Sequence, residues 1–566
     1  MGHQGGERLS WGDSVFLNLE REGMPLNVAC VCVLEGDLPF ETYVQFVESR
    51  MPLIPRYFMR VVAPPLNIGL PIWDYDPAFD IRNHLREATL EHGSDAELKV
   101  LAGEIFGKVM DRRHPLWDLT VVRRLKGNRT GIIARMHHCL ADGIAGVGVM
   151  SALMDVTPEV PRLPKRRTRL RVPAPREAVP SIVDGLTSSY SNFMERILSG
   201  WADVLNITER TLANGGNAAS EEFSRLMPEI TAPTERLRFN VLYRGPQKFA
   251  CTKIPLADIK AIRHACGTSV NDVLLALVTA TIRRYSELHG DDVKGRLLRI
   301  MVPVNLRGSN TSHELGNRIS LVAVTIPLDI RHMKKLLTEV HRRTEFLKRA
   351  RAAELVGLAG GLLGILPCPV QAFAGPMISQ VPFTPFNMVC TNVPGPQYPL
   401  YVLGHKMLHW YPYVPIGGEL ALNCAILSYN GTVYFGFSGD AHITPDLGRF
   451  EKLLQSSFTE LRDAAGIKPP QKRPPQKRVR ATKKVAKKPA EQPATTLRVP
   501  IPLPVARPAA ESSAAAGPIF GNKIFEKKIA EEKIVEKKIS APRVIQEKIL
   551  EEKIVEGKNV LTQLTA

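Results

Sequence analysis

The chain has 566 residues, 44% of them apolar and 23% charged, a globular balance that excludes wholesale disorder. Its 74 Lys and Arg outnumber 56 Asp and Glu, for a formal charge of +18 that points first to a polyanionic partner. The excess is local, however. From Gly466 to the C-terminus there are 22 basic and 10 acidic residues, and Arg162 to Arg176 holds seven basic residues and no acidic one, so the remainder stands at −1. The count implies no broad basic face on a folded body.

The first residues, Met1 to Leu9, lack the apolar core of a secretory signal, so a chain that is not secreted is expected. Residues 9 to about 160 read as mixed α/β. Val28–Leu34 is a strand with Cys30 and Cys32 on one face, Arg123–Asn128 a turn, and Gly131–Met136 a short apolar strand. A Pro/Arg-rich linker covers residues 161–176, and a weakly helical stretch follows to about residue 230. A second α/β region begins near Phe239. There Ser269 and Asp272 form a capping box that opens an apolar helix to Tyr285, and Leu298–Val304 and Ile319–Ile326 read as strands.

The fifty residues Leu355–Gly404 carry no Lys, Arg, Asp or Glu, but Pro367, Pro369, Pro376, Pro382 and Pro385 interrupt them. The proline-free run Leu355–Leu366 is short of the roughly 20 residues a membrane span needs, so burial is the expectation. Thr444 reads as the N-cap of a last helix whose apolar face is Leu447, Phe450, Leu454, Phe458 and Leu461. Beyond Gly466 a Pro/Lys/Arg stretch gives way to a five-residue repeat, with aliphatic residues every fifth position from Ile519 to Ile554. A step of five circles a helix, so a coiled coil is disfavoured and a solvated tail of unknown partner is expected. The eight cysteines show no CxxC pair, which argues against zinc.

Chemistry concentrates at Arg135 to Ile144, which contains His137, His138, Asp142 and Gly143. Successive strand residues face opposite ways, so the two histidines should diverge, one supporting the local fold and one reaching a cavity. Asp142 is placed to cap the next helix, and Gly143 to let that helix pack closely. Divergent histidines chelate a metal poorly, and Cys139 would point away from His138, which disfavours a thiol nucleophile.

His137-His138-x-x-x-Asp142-Gly143 is the HHxxxDG pattern of the CoA-dependent acyltransferase superfamily. The dispersed stretches Leu9-Ser10 with Asp13 and Phe16, Pro115-Leu116-Trp117, Val270-Asn271-Asp272-Val273, Pro303 to Arg307, Leu315-Gly316-Asn317 and Thr391 to Pro396 resemble, in order, the bacterial wax ester synthase/diacylglycerol acyltransferase family. The likeness covers about residues 7 to 465.

The resemblance implies an α/β fold of two chloramphenicol-acetyltransferase-like sandwich domains with a tunnel between them and a disordered basic C-terminal tail. The expected division is 1–160 for a first acyltransferase domain, 161–235 for the connection, 236–465 for a second domain and 466–566 for the tail. The implied reaction moves a long-chain acyl group from acyl-CoA to diacylglycerol, or to a fatty alcohol, with acyl-CoA as substrate and no cofactor.

His138 is the implied general base, with His137 and Asp142 supporting it. A neutral imidazole suits the deprotonation of a weakly nucleophilic alcohol near neutral pH. Gly143, Asn271 and Asp272 belong to the motifs around the site. Pro115, Leu116 and Trp117 are candidates to line the channel, and Thr391 and Asn392 to contact the reacting group. A cytoplasmic protein, peripheral at the inner face of the membrane or on lipid inclusions, is expected. Competing readings are an acyltransferase with a non-glyceride acceptor, or a non-catalytic protein that binds lipid surfaces or nucleic acid through the tail. The tail's only aromatics are Phe520 and Phe525, too few for base stacking.

Overall fold

The computed structural model describes residues 7–64, 69–141, 143–163, 234–305, 319–349 and 386–468. One compact unit runs from Met1 to Lys472; the second, Arg473–Ala566, lies outside the described residues, as do the linker beyond Leu163, most of the uncharged stretch and the repeat.

Two six-stranded sheets carry the fold. The first contains β2 (Asn27–Glu35), β5 (Leu85–Thr89), β6 (Trp117–Leu125) and β7 (Arg129–His137), in the order β5-β6-β7-β2. It then continues into β13 (His405–Tyr413) and β12 (Tyr401–Val402), which arrive from far along the chain. β13 pairs antiparallel with β2, with Trp410 opposite Cys32 and Tyr413 opposite Ala29. The expected division at residue 236 thus misses a strand exchange: Tyr401–Tyr413 belongs by position to the second half and by hydrogen bonding to the first sheet. Local patterning cannot announce that, because a strand's partners are set at long range.

The second sheet runs β10 (Ile319–Pro327), β9 (Leu297–Asn305), β11 (Met388–Pro394), β14 (Leu422–Tyr429), β15 (Thr432–Asp440), β8 (Gln247–Pro255). β11 is parallel to both neighbours and the other pairs are antiparallel. The described residues also form a small three-stranded sheet of β1 (Glu7–Arg8), β4 (Ile72–Tyr75) and β3 (Met59–Val62).

The halves meet closely. A side chain at Gly436 on β15 would place its Cβ 1.8 Å from the Pro412 carbonyl oxygen on β13, so only glycine allows that crossing. Phe106, at the end of α3 (Asp95–Phe106), packs edge-on to Phe249 of β8 and tilted against Tyr413 of β13, joining the two sheets through aromatic contact.

Helices α1 (Trp11–Leu19), α2 (Phe40–Arg50), α3 and α4 (Gly143–Ala152) belong to the first half. α5 (Leu256–Cys266), α6 (Val270–Leu288), α7 (Met333–Arg349) and α8 (Arg449–Ala464) belong to the second. α6 is buried on nearly every side, and the capping box of Ser269 and Asp272 opens it as its sequence predicts. Among the described residues no single helix is long and apolar enough to cross a membrane.

Two local expectations change. β6 continues to Leu125 with irregular pairing after Val122, and the turn is confined to residues 126–128, where Gly127 and Asn128 supply the left-handed conformations. The last helix starts at Arg449, not at Thr444. The Thr444 hydroxyl donates to the Asp440 carbonyl, 2.8 Å, instead of capping, and tight turns carry the chain to residue 448. The apolar face of that helix is nonetheless buried as expected.

Candidate active site

The alternation of β7 sorts its side chains into two sets. Ala134, Met136 and, just past the strand, His138 face a cavity. Arg135 and His137 face the other way. Arg135 makes a buried paired contact with Asp118, directly opposite on β6, at 2.8 and 2.7 Å, and donates to the Ile105 and Lys108 carbonyls. Asn27, opposite His137 on β2, donates to the Phe106 and Lys108 carbonyls. That side of the strand is structural and fixes the segment leaving α3.

The two histidines therefore diverge. His137 is fully buried. Its Nδ1 accepts the Cys139 amide at 3.1 Å, so the ring proton belongs on Nε2, which lies 3.3 Å from a carboxylate oxygen of Glu20. The Leu140 amide donates to the His137 carbonyl, closing a turn that sends the chain towards α4. His138 is held at its backbone by donation to the Leu26 carbonyl, 2.9 Å, and its ring lies on Phe16 of α1 at 3.9 Å between centroids, 7° from parallel. α1 itself is capped by Ser10, whose hydroxyl accepts the Asp13 amide and donates to the Asp13 carboxylate. Burial pushes the Glu20 carboxyl up, but His137, the Leu26 amide and Arg112 together outweigh it and hold it below its ordinary value.

The cavity measures about 140 Å³ and lies between the sheets. The first half contributes Val28, Cys30, Ala134, Met136 and His138 from its sheet region and Ile144, Val147 and Met150 from α4. Trp410 and Pro412 of β13 line it too, and the second sheet contributes Pro303, Thr391, Asn392, Val393, Ala425 and Leu427. The lining is mainly apolar, with His138, Thr391 and Asn392 as convergent polar groups, the make-up of a site for an apolar ligand with one reactive end. Gly143 brings α4 against β11: a Cβ there would meet Val393 Cγ2 at 3.0 Å.

The other expected residues separate. Asp142 lies outside the described residues. Asn271 stays near the cavity, its amide oxygen 3.5 Å from the Asn392 amide nitrogen. Asp272 turns away: its carboxylate accepts the Ser269 amide (2.8 Å) and the Thr344 hydroxyl (2.7 Å) and contacts His341 Nδ1 (2.8 Å). Burial raises the Asp272 carboxyl and these hydrogen bonds more than reverse it, leaving it lowered. Pro115, Leu116 and Trp117 do not line the cavity; they are buried in the first half. Trp117 is sandwiched between Tyr57 and His84, 4.5 Å from each, and donates to the Tyr57 carbonyl, a packing role in the first half. Cys139 is buried and burial pushes its thiol well up, unsuited to a nucleophile. One group with metal-ligand proximity occurs among the described residues, Glu91, His92 and Glu97 at the start of α3, and it takes no part in the cavity.

Sequence reading missed Glu20 and Arg112, and it assigned Phe16 no task. Nothing in the spacing links residue 20 to residue 137; only the fold brings the end of α1 under the histidines.

Two six-stranded sheets thus enclose an apolar cavity that one histidine faces. The model of the wax ester synthase/diacylglycerol acyltransferase catalytic domain matches residues 9–274, and that of the C-terminal domain of the same family matches residues 315–462. The chain belongs to this family of acyltransferases. It is 28% identical over 456 residues to a Mycobacterium tuberculosis protein named "Probable diacyglycerol O-acyltransferase tgs1", covering 79% of this chain and 94% of that one. It is also 28% identical over 465 residues to tgs2 of the same species, covering 80% and 98%. Among solved structures, the wax ester synthase/diacylglycerol acyltransferase from Marinobacter aquaeolei VT8 superposes with a TM-score of 0.55 at 23% identity, covering 81% of this chain and all of that one. The first condensation domain of the CDA synthetase superposes at 0.51 and 14%, covering 82% and 97%, a likeness of fold alone.

Proposed function

We propose that this acyltransferase moves a long-chain acyl group from acyl-CoA to the free hydroxyl of diacylglycerol, with fatty alcohol as a second acceptor, and that His138 is its general base. The observation that carries the reading is the position of His138: just past β7 its ring faces the cavity, while His137, the last residue of the strand, faces the opposite way. In the proposed step His138 takes the hydroxyl proton as the alcohol oxygen bonds to the thioester carbonyl carbon. The C–S bond then breaks, and the same proton passes to the departing CoA sulfur. Since a thiolate leaves readily, no acyl-enzyme is needed, and the buried, high-pKa Cys139 is consistent with direct transfer. Thr391 and Asn392 are proposed to stabilise the oxygen of the tetrahedral intermediate, with Asn271 orienting Asn392.

The apolar lining supports a lipid acyl group over a polar one. A dry cavity near 150 Å³ holds a guest about the size of benzene, so the described cavity suits the reacting end of a long chain rather than its whole length. The test is transfer from palmitoyl-CoA by purified protein, with diacylglycerol and hexadecanol offered separately. Labelled triacylglycerol is expected. Acylation of neither acceptor, while a non-lipid hydroxyl or amine is acylated, would overturn the proposed substrate class.

A further inference from the structure

We propose that Glu20 is a positioning residue for both histidines, tying the end of α1 to the turn that aims His138 into the cavity. This rests on the reading of His138 as the base.

Glu20 is the C-cap of α1, its carboxylate only 1% exposed. Three donors converge on it. The Leu26 amide donates to one oxygen at 3.2 Å, Arg112 to the other at 3.0 Å, and His137 Nε2 stands 3.3 Å from the first. The His137 contact is at ion-pair distance but off the line of a well-formed hydrogen bond, and that nitrogen makes no better bond among the described residues. The arrangement reaches His138 twice. Leu26, whose backbone N–H Glu20 anchors, accepts the His138 backbone N–H at its carbonyl, one peptide group further along the chain. The Glu20 backbone N–H closes the last turn of α1 on the carbonyl of Phe16, the residue whose ring lies on His138. Arg112 also donates to the Leu17 carbonyl, 2.7 Å, fastening the same helix end from the partly exposed side.

A buried carboxylate is costly unless donors satisfy it, and an acceptor-only group with two oxygens meets three donors without offering a proton back. Gln can keep its oxygen towards Leu26 and His137 and present its NH2 to Arg112, whose side chain is 44% exposed and can turn to water. Ala can do neither.

The test compares steady-state kinetics of wild type, Glu20→Ala, Glu20→Gln and His138→Ala with palmitoyl-CoA and diolein, normalised to folded protein by circular dichroism and thermal melting. Glu20→Ala is expected to lower kcat about 100-fold, the scale of a misplaced base, with both KM values within about twofold. Glu20→Gln is expected to recover to within about fivefold of wild type, because it restores the acceptor at a pair worth only a fraction of that loss. Wild-type kcat in Glu20→Ala alongside an inactive His138→Ala overturns the role of Glu20 alone; turnover by His138→Ala overturns the base assignment itself. A Gln variant as inactive as Ala, or a loss confined to KM, also overturns the proposal. If Glu20→Ala is recovered unfolded, Arg112→Gln decides: a fall in kcat of about fivefold at constant KM, as for one lost charge-assisted bond, supports the proposal, and an unchanged kcat overturns it.

Discussion

Phe16 lies flat on His138, 3.9 Å between ring centroids and 7° from parallel, although the two are separated by more than a hundred residues of chain. The contact limits how the imidazole can tilt without occupying either ring nitrogen. An aromatic pair of this kind is worth about 0.5–1.5 kcal/mol beyond its burial. Phe16→Leu keeps apolar bulk and loses the flat face, so kcat is expected to fall roughly two- to tenfold with KM unchanged. Steady-state kinetics checks this, and a variant with wild-type kcat would show that the stack does not position the ring.

Gly143 sets the distance between α4 and β11, where a Cβ would meet Val393 Cγ2 at 3.0 Å. Gly143→Ala should lower activity by displacing the cavity wall, and Val393→Ala in the same chain should recover most of it by removing the opposing methyl. The double-mutant cycle is the measurement, with non-additivity of about 1 kcal/mol or more expected for groups in contact.

Asp272 caps α6 and bonds Thr344 and His341 away from the cavity. Asp272→Asn should lower Tm and leave kcat near wild type, because the carboxylate caps α6 and bonds Thr344 away from the cavity. Its folded pKa is depressed below the ordinary value of 3.8. The stabilisation is therefore fully present above that value and is lost as pH falls through the lower, folded one. The gap in Tm between wild type and Asp272→Asn should be full near neutral pH and close in acid; a constant gap would assign it to packing.

The buried pair of Asp118 and Arg135 predicts an asymmetric cost. Removing one partner, as in Asp118→Asn, leaves a charge uncompensated and should destabilise by about 3–5 kcal/mol, read from denaturant unfolding. Replacing both with apolar residues should cost less than either single change.

What the sequence made legible follows physical range. The divergence of His137 and His138 follows from strand pleat, and the capping of α6 from four consecutive residues, so local patterning was enough. An aromatic residue such as Trp117 suits a channel wall and a core equally well, and its packing partners Tyr57 and His84 are not named by the motif. Thr444 suits a cap by its side chain, but its hydroxyl donates to the Asp440 carbonyl four residues earlier instead. Glu20 and the exchange of Tyr401–Tyr413 into the first sheet were out of reach, since both depend on contacts more than a hundred residues apart.

The most direct measurement is the turnover of purified His138→Ala with palmitoyl-CoA and diacylglycerol, with circular dichroism and Tm recorded on the same sample. The ring stacks on Phe16 and faces a cavity, so the variant should stay folded. Loss of a positioned base should lower kcat by about 10²–10⁴-fold. A folded His138→Ala protein with kcat near wild type would contradict the account.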